Sequence, residues 1–179
     1  MSDPRITKVL EFWRDAQADW FTHDPQFDAR FRTRFAVLHR AAAAGELTSW
    51  EDSAEGCLAL LVLLDQYPRN AFRGSARMYA TDAAALRIAH KAVARGDAAR
   101  LAPPLVLFLF LPFSHSEVLA DQELSVALHR RWLPGAERHA EEHRAIIARF
   151  GRFPHRAALL GRDQTEEEAA YLRAGGFQG

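Results

Sequence analysis

Apolar residues along this chain recur at three- and four-residue intervals almost from end to end, with no sustained one-by-one alternation and no Asn-Gly or Asp-Gly hairpin turns. That pattern builds helices and leaves nothing from which to assemble a sheet. In ITKVLEFW, Ile6, Val9, Leu10 and Trp13 share one helical stripe. Asp24 before Pro25 supplies a cap and a proline at the first helical position. Phe27, Phe31, Phe35 and Leu38 then carry a second stripe as far as Gly45. A third helix, apolar on all sides from Cys57 to Leu64, follows Asp52 and Glu55 in a capping arrangement and is predicted to end near Gln66 or Tyr67, because Pro68 disfavours helical geometry before it. Leu86, Ile88, Ala89 and Val93 define a further helix stopped by Gly96. An apolar helix runs from Pro103-Pro104 to about Leu111. Ser114 and Glu117 have capping-box spacing for the next, whose stripe is Val118, Leu119, Val126 and Leu128 up to the break at 133–135. AERHAEEHRAIIARFG closes at Gly151, and Thr165 with Glu168 caps a last helix carrying Tyr171 and Leu172. The expected fold class is all-α, with about seven to nine short helices whose short connections make neighbours antiparallel.

At 179 residues the chain suits one domain, 1–179, with a single well-buried core. The runs CLALLVLL and LVLFLFLPF are too short to span a bilayer and read as central core helices. Lys+Arg and Asp+Glu balance at 23 each, so no global field draws in nucleic acid or an anionic membrane, and neither is an expected partner. Lys8 and Lys91 are the only lysines. The preference for arginine reflects either a coding bias or a use for planar, bidentate anion binding. The lone Cys57 allows no intrachain disulfide, and MSDPRITKVLEF lacks the features of a secretory signal, so a cytoplasmic location is expected.

Three segments carry candidate chemistry. In LLDQYPRNAFRG, Asp65 falls in the last turn of a buried helix, where the macrodipole disfavours a carboxylate and calls for a cation. Arg69 and Arg73 are nearest, and Asn70 can satisfy backbone groups after the proline. In LPFSHSEVLADQ, Glu117 and Asp121 are predicted to lie one turn apart on one face, with His115 at the positive end of the helix and therefore neutral. In HAEEHRAIIARFGRFPHRAALLGR, Arg149, Arg152, Arg156 and Arg162 crowd together with Arg144 nearby, and they need carboxylates or an anionic ligand to offset their repulsion. Asp65, Glu117 and Asp121 are the expected partners. The string HAEEH, from His139 to His143, matches the H-x-x-E-H spacing of a zinc protease family. The only downstream ligands are Glu166 to Glu168, which a helix start explains, so no metal is expected.

Together these segments resemble the bacterial family catalogued as domain of unknown function 924, whose members carry blocks like LDQYPRN, HSE followed by DQ, and FGRFPHR followed by LGR. VLEFW, Trp20-Phe21 and Trp50 fit the same pattern. The resemblance implies a bacterial source and a stack of helices similar to tetratricopeptide arrays. It selects Asp65, Gln66, Pro68, Arg69 and Asn70, then His115, Ser116, Glu117, Asp121 and Gln122. It also selects His143, Phe150, Gly151, Arg152, Pro154, His155, Arg156 and Leu160 to Arg162. His139 lies outside it, and Ala157 stands where the family usually has Asn.

Two functional readings compete. One is a binding module with an Arg/His/carboxylate pocket for an anionic small molecule or peptide. The other is an enzyme of hydrolase or isomerase type, with His115, His143 or His155 as acid/base and Asp65, Glu117 or Asp121 as orienting carboxylate. A third role, as a structural or interaction domain, goes with a homodimer. No P-loop, nucleophile elbow or dinucleotide fingerprint narrows the choice, and the sequence leaves any cofactor open.

Overall fold

Eight helical rods make up the computed structural model, which describes residues 3–179 and, among them, no strand. Helix α1 (Pro4–Asp15) buries Ile6, Val9, Leu10 and Trp13, and the Asp3 side chain caps it. Helix α2 (Pro25–Ala43) starts where Asp24 accepts from the Gln26 amide, and it buries Phe27, Phe31, Phe35, His39 and Ala42. Its rings mesh with Phe12 and Trp13 of α1, and Trp13 in turn meets Phe108 edge-on at 5.0 Å. Such aromatic pairs add about 0.5–1.5 kcal/mol beyond the area they bury.

The central rod differs from the expectation at both ends. Ser53, and not Asp52, caps α3 (Ala54–Leu61), its hydroxyl accepting from the Gly56 amide at 3.0 Å. The rod then passes through a π turn, Val62–Gln66, into α4 (Tyr67–Ala71), instead of stopping before Pro68. The widened turn relieves the clash that a proline ring makes with the carbonyl four residues back, and Pro68 falls in the first turn of α4, where no donor is required. Burial repays the distortion. From Cys57 to Leu64 no residue is more than 2% exposed, and each sequestered leucine contributes about 1.5–3 kcal/mol.

Helix α5 (Asp82–Arg95) ends at Gly96, whose φ of 79° lies in the left-handed region open to glycine. Helix α6 (Pro103–Ser114) outruns its expected end at Leu111 by passing through Pro112, and it packs against α3, α5 and α7. Ser114 therefore closes α6, bonding to Ser125, and opens nothing. Helix α7 (Leu119–Trp132) begins only after Val118, so Val118 and Leu119 are exposed while Gln122, Ser125, Val126, Leu128 and His129 turn inward. Helix α8 (Glu137–Phe150) ends at Gly151 as predicted. Helix α9 (Glu166–Arg173) opens on the expected reciprocal capping box of Thr165 and Glu168. A small second cluster, Ile146, Ile147 and Phe153 with Phe150, Tyr171 and Phe177 against it, ties α8 and α9 together apart from the main core. Among the described residues no helix is long and apolar enough to cross a membrane.

Candidate functional site

The π turn aims Asp65 away from the apolar rod and into a cluster of charged groups, and such turns recur where function needs a displaced side chain. Asp65 is 1% exposed, and its carboxylate accepts from Gln66 Nε2 at 2.6 Å and His115 Nδ1 at 2.7 Å and forms an ion pair with Arg69 at 3.1 Å, while Arg69 donates to its backbone carbonyl at 2.8 Å. His115 occupies the C-cap of α6, and Arg69 lies one turn beyond Asp65 in α4. Arg69 also clasps Asp82, the first residue of α5, through two bonds of 2.9 and 3.1 Å. From the turn Pro154–Arg156, the Arg156 guanidinium comes within 3.6 Å of Asp82 and sits over Phe153 at 4.4 Å and Tyr79 at 4.7 Å. Glu117 accepts from Arg162 at 2.7 and 3.0 Å and from the Phe153 amide at 2.9 Å. Cations and carboxylates pair off, with one exception. Arg69 and Arg162 each hold a carboxylate by two hydrogen bonds, whereas Arg156 holds none among the described residues, where its Nε is buried without a partner.

Burial lowers the pKa of His115, and the charge of Arg69 lowers it further, against the pull of Asp65. The ring is thus neutral for a different reason from the one expected, since it stands at the negative end of α6 and not at the positive end of a helix. Burial works to raise Asp65, but the charges and hydrogen bonds of Arg69, His115 and Gln66 outweigh it and keep the carboxylate ionised. Arg156 is lowered by burial and by repulsion from Arg69. Burial likewise holds His155 at about 4, helped by Arg156, and His143 at about 3, helped by His139.

Other selected residues lie elsewhere. Asn70 and Arg73 turn to Asp28 of α2, at 2.7 and 2.6 Å, so neither serves Asp65 nor the backbone after Pro68. Asp121 bonds Ser116 and His90, and Gln122 donates to the carbonyls of Ser114 and Ser116. Glu117 lies in the loop before α7 and shares no helical face with Asp121, because α7 starts too late to include it. Of the crowded arginines only Arg162 finds an expected partner. Arg149 pairs with Glu167 and Arg152 with Glu168, both on α9. Arg144 makes no ion pair among the described residues. His143 bonds the carbonyl of His139 at 2.8 Å, and the two rings meet edge-on at 4.3 Å. Ala157 is buried, and its carbonyl accepts from the Arg162 amide. Asp82, Tyr79 and Phe153 belong to the cluster although the sequence reading missed them. No motif singled out Asp82 or Tyr79, and Phe153 lies within the FGRFPHR block without being selected. Two concavities lie apart from the cluster. One, of about 280 Å³, is bounded by Asp28, Arg32, Asn70 and Arg73, and the other, of about 430 Å³, by Ile146, Phe150, Tyr171 and Phe177.

The chain is thus an all-helical protein whose central rod carries a π turn facing a C-terminal arginine segment across a mostly paired ionic network. The chain belongs to the bacterial family of unknown function DUF924, which it matches over residues 9–176. Its structure is similar to that of a protein of unknown function from Agrobacterium tumefaciens, with 46% sequence identity, 96% of this chain and 98% of that chain covered, and a TM-score of 0.93. No curated protein matches the chain.

Proposed function

We propose that the cluster around Arg156 binds the oxyanion of a small molecule or peptide. The observation that carries this reading is the state of Arg156: 7% exposed, Nε unpartnered, and its nearest carboxylate at 3.6 Å, too far for a hydrogen bond. Leaving a buried polar group unsatisfied costs about 1–3 kcal/mol, and more when it is charged. The rings of Tyr79 and Phe153 stand 4.7 and 4.4 Å from the guanidinium carbon, and a guanidinium with no hydrogen-bonded carboxylate of its own can hold a carboxylate or phosphate bidentately. His115, Arg69, Asp82, Glu117 and Arg162 stay 15% to 35% exposed in their side chains, so water and small solutes reach the rim.

The test is thermal unfolding in succinate or phosphate against sodium chloride of equal ionic strength, for the native chain and for Arg156→Met. A ligand at a hundred times its Kd stabilises by about 2.7 kcal/mol. That gain is expected in the native chain and lost in the variant. Equal stabilisation of both would dispose of the site.

A further inference from the structure

Three histidines stand at this cluster, and their surroundings separate them. The Nδ1 of His143 is spent on a carbonyl of its own helix, and the Nδ1 of His155 is buried with no partner. His115 alone has a carboxylate on Nδ1, at 2.7 Å. Asp65 cannot swing away, because it is fully buried, built into the π turn and gripped by Arg69 and Gln66 as well. Bonding of Nδ1–H to Asp65 fixes the tautomer and leaves the lone pair on Nε2. Among the described residues that atom has no hydrogen-bond partner, and it belongs to a side chain 16% exposed. A neutral imidazole oriented by a carboxylate, with its second nitrogen free, is the arrangement of a general base.

The neighbourhood narrows the chemistry. Ser114 is bonded to Ser125 and Ser116 to Asp121, so neither hydroxyl is offered to His115 as a nucleophile. Water is then the species the base can activate, and the reaction is hydrolysis. Among the described residues Arg156 is the one guanidinium of the cluster without its own hydrogen-bonded carboxylate, so it is the group left to hold a carboxylate of the substrate.

Resting on the oxyanion site proposed above, we infer that His115, positioned by Asp65, is the general base of a hydrolase acting on an ester that also bears one carboxylate, held by Arg156. Water gives a proton to His115 Nε2 as its oxygen adds to the ester carbonyl carbon. The tetrahedral adduct expels the alkoxide, which takes that proton back, so acid and alcohol leave and the imidazole is neutral again.

The assay is release of 4-nitrophenol from 4-nitrophenyl hydrogen succinate, with neutral 4-nitrophenyl acetate as the comparison. The native chain should prefer the anionic ester, with a rate that rises with pH through one ionisation. His115→Gln should lower kcat roughly 100-fold or more while leaving KM little changed. Arg156→Met should raise KM and abolish the preference, and Asp65→Asn should alter the pH profile. Succinate-induced thermal stabilisation of His115→Gln checks that this variant is folded and still binds. Native-like turnover by folded His115→Gln overturns the base, as does the absence of native hydrolysis while succinate still stabilises. Absence of stabilisation of the native chain sinks the underlying anion site instead.

Discussion

Lowering the pH from 7 to 5 should weaken this protein by an amount that one histidine makes measurable. His143 packs against Phe177 and Phe153, with ring centroids at 4.6 and 5.5 Å, and burial, with the nearby charge of His139, takes its pKa from 6.5 to about 3. In the folded protein it stays neutral at both pH values. In the unfolded chain it gains a proton as the pH falls through the ordinary histidine range. The unfolded state then binds the extra proton, so stability is full above pH 6.5 and declines toward pH 3. At about 1.36 kcal/mol per pH unit, the loss from His143 alone is ~2 kcal/mol by pH 5. His143→Phe removes that titration while keeping an aromatic ring among its neighbours. Whatever its stability at pH 7, the difference between pH 7 and pH 5 should shrink by ~2 kcal/mol relative to the native chain, read from urea unfolding followed by circular dichroism. An undiminished difference would show that His143 is not held neutral by burial, and the reasoning would fail.

Leu61→Ala, at a fully buried position of the central rod, should cost about 2–5 kcal/mol, seen as a lower urea midpoint, and an unchanged midpoint would contradict the packing described. Arg69→Met strips Asp65 and Asp82 of their shared cation and should cost roughly 3–5 kcal/mol, again by urea unfolding, whereas a neutral effect would mean that water already screens the pair. Gly56→Ala should destabilise severely, because a Cβ there collides with the Trp50 carbonyl, and a native melting temperature in the variant would place that turn differently. Thr165→Ala should cost about 1 kcal/mol and speed amide exchange across α9, and unaltered exchange would argue against the capping box.

The fold was legible wherever one helix could be read by itself. The stripes of α1 and α2, the glycine stops at Gly96 and Gly151, and the box at Thr165 each depend on residues within four or five positions of one another. The errors came where tertiary packing overrode such local rules. Pro68 and Pro112 lie inside buried rods whose apolar packing outweighs the cost of a proline. Val118 and Leu119 look like the start of a stripe but stay in water, because the loop that holds Ser116 and Glu117 takes up the residues before α7. The ionic network was visible as composition and partly as pairing. Arg69 was close enough in sequence to be assigned to Asp65, but Asp82 is 13 residues from Arg69, and its role emerges only when α5 is laid against the π turn. The guanidiniums of Arg149 and Arg152 looked available and turn out to be spent on α9.

The small apolar cluster joining α8 and α9 also supplies Phe153, which covers one side of the Arg156 guanidinium. The cluster lies apart from the main core, although α8 itself packs along α7. Resizing Ile146, Ile147 or Phe177 therefore shifts the ring that stands against the guanidinium without altering a single ionised group.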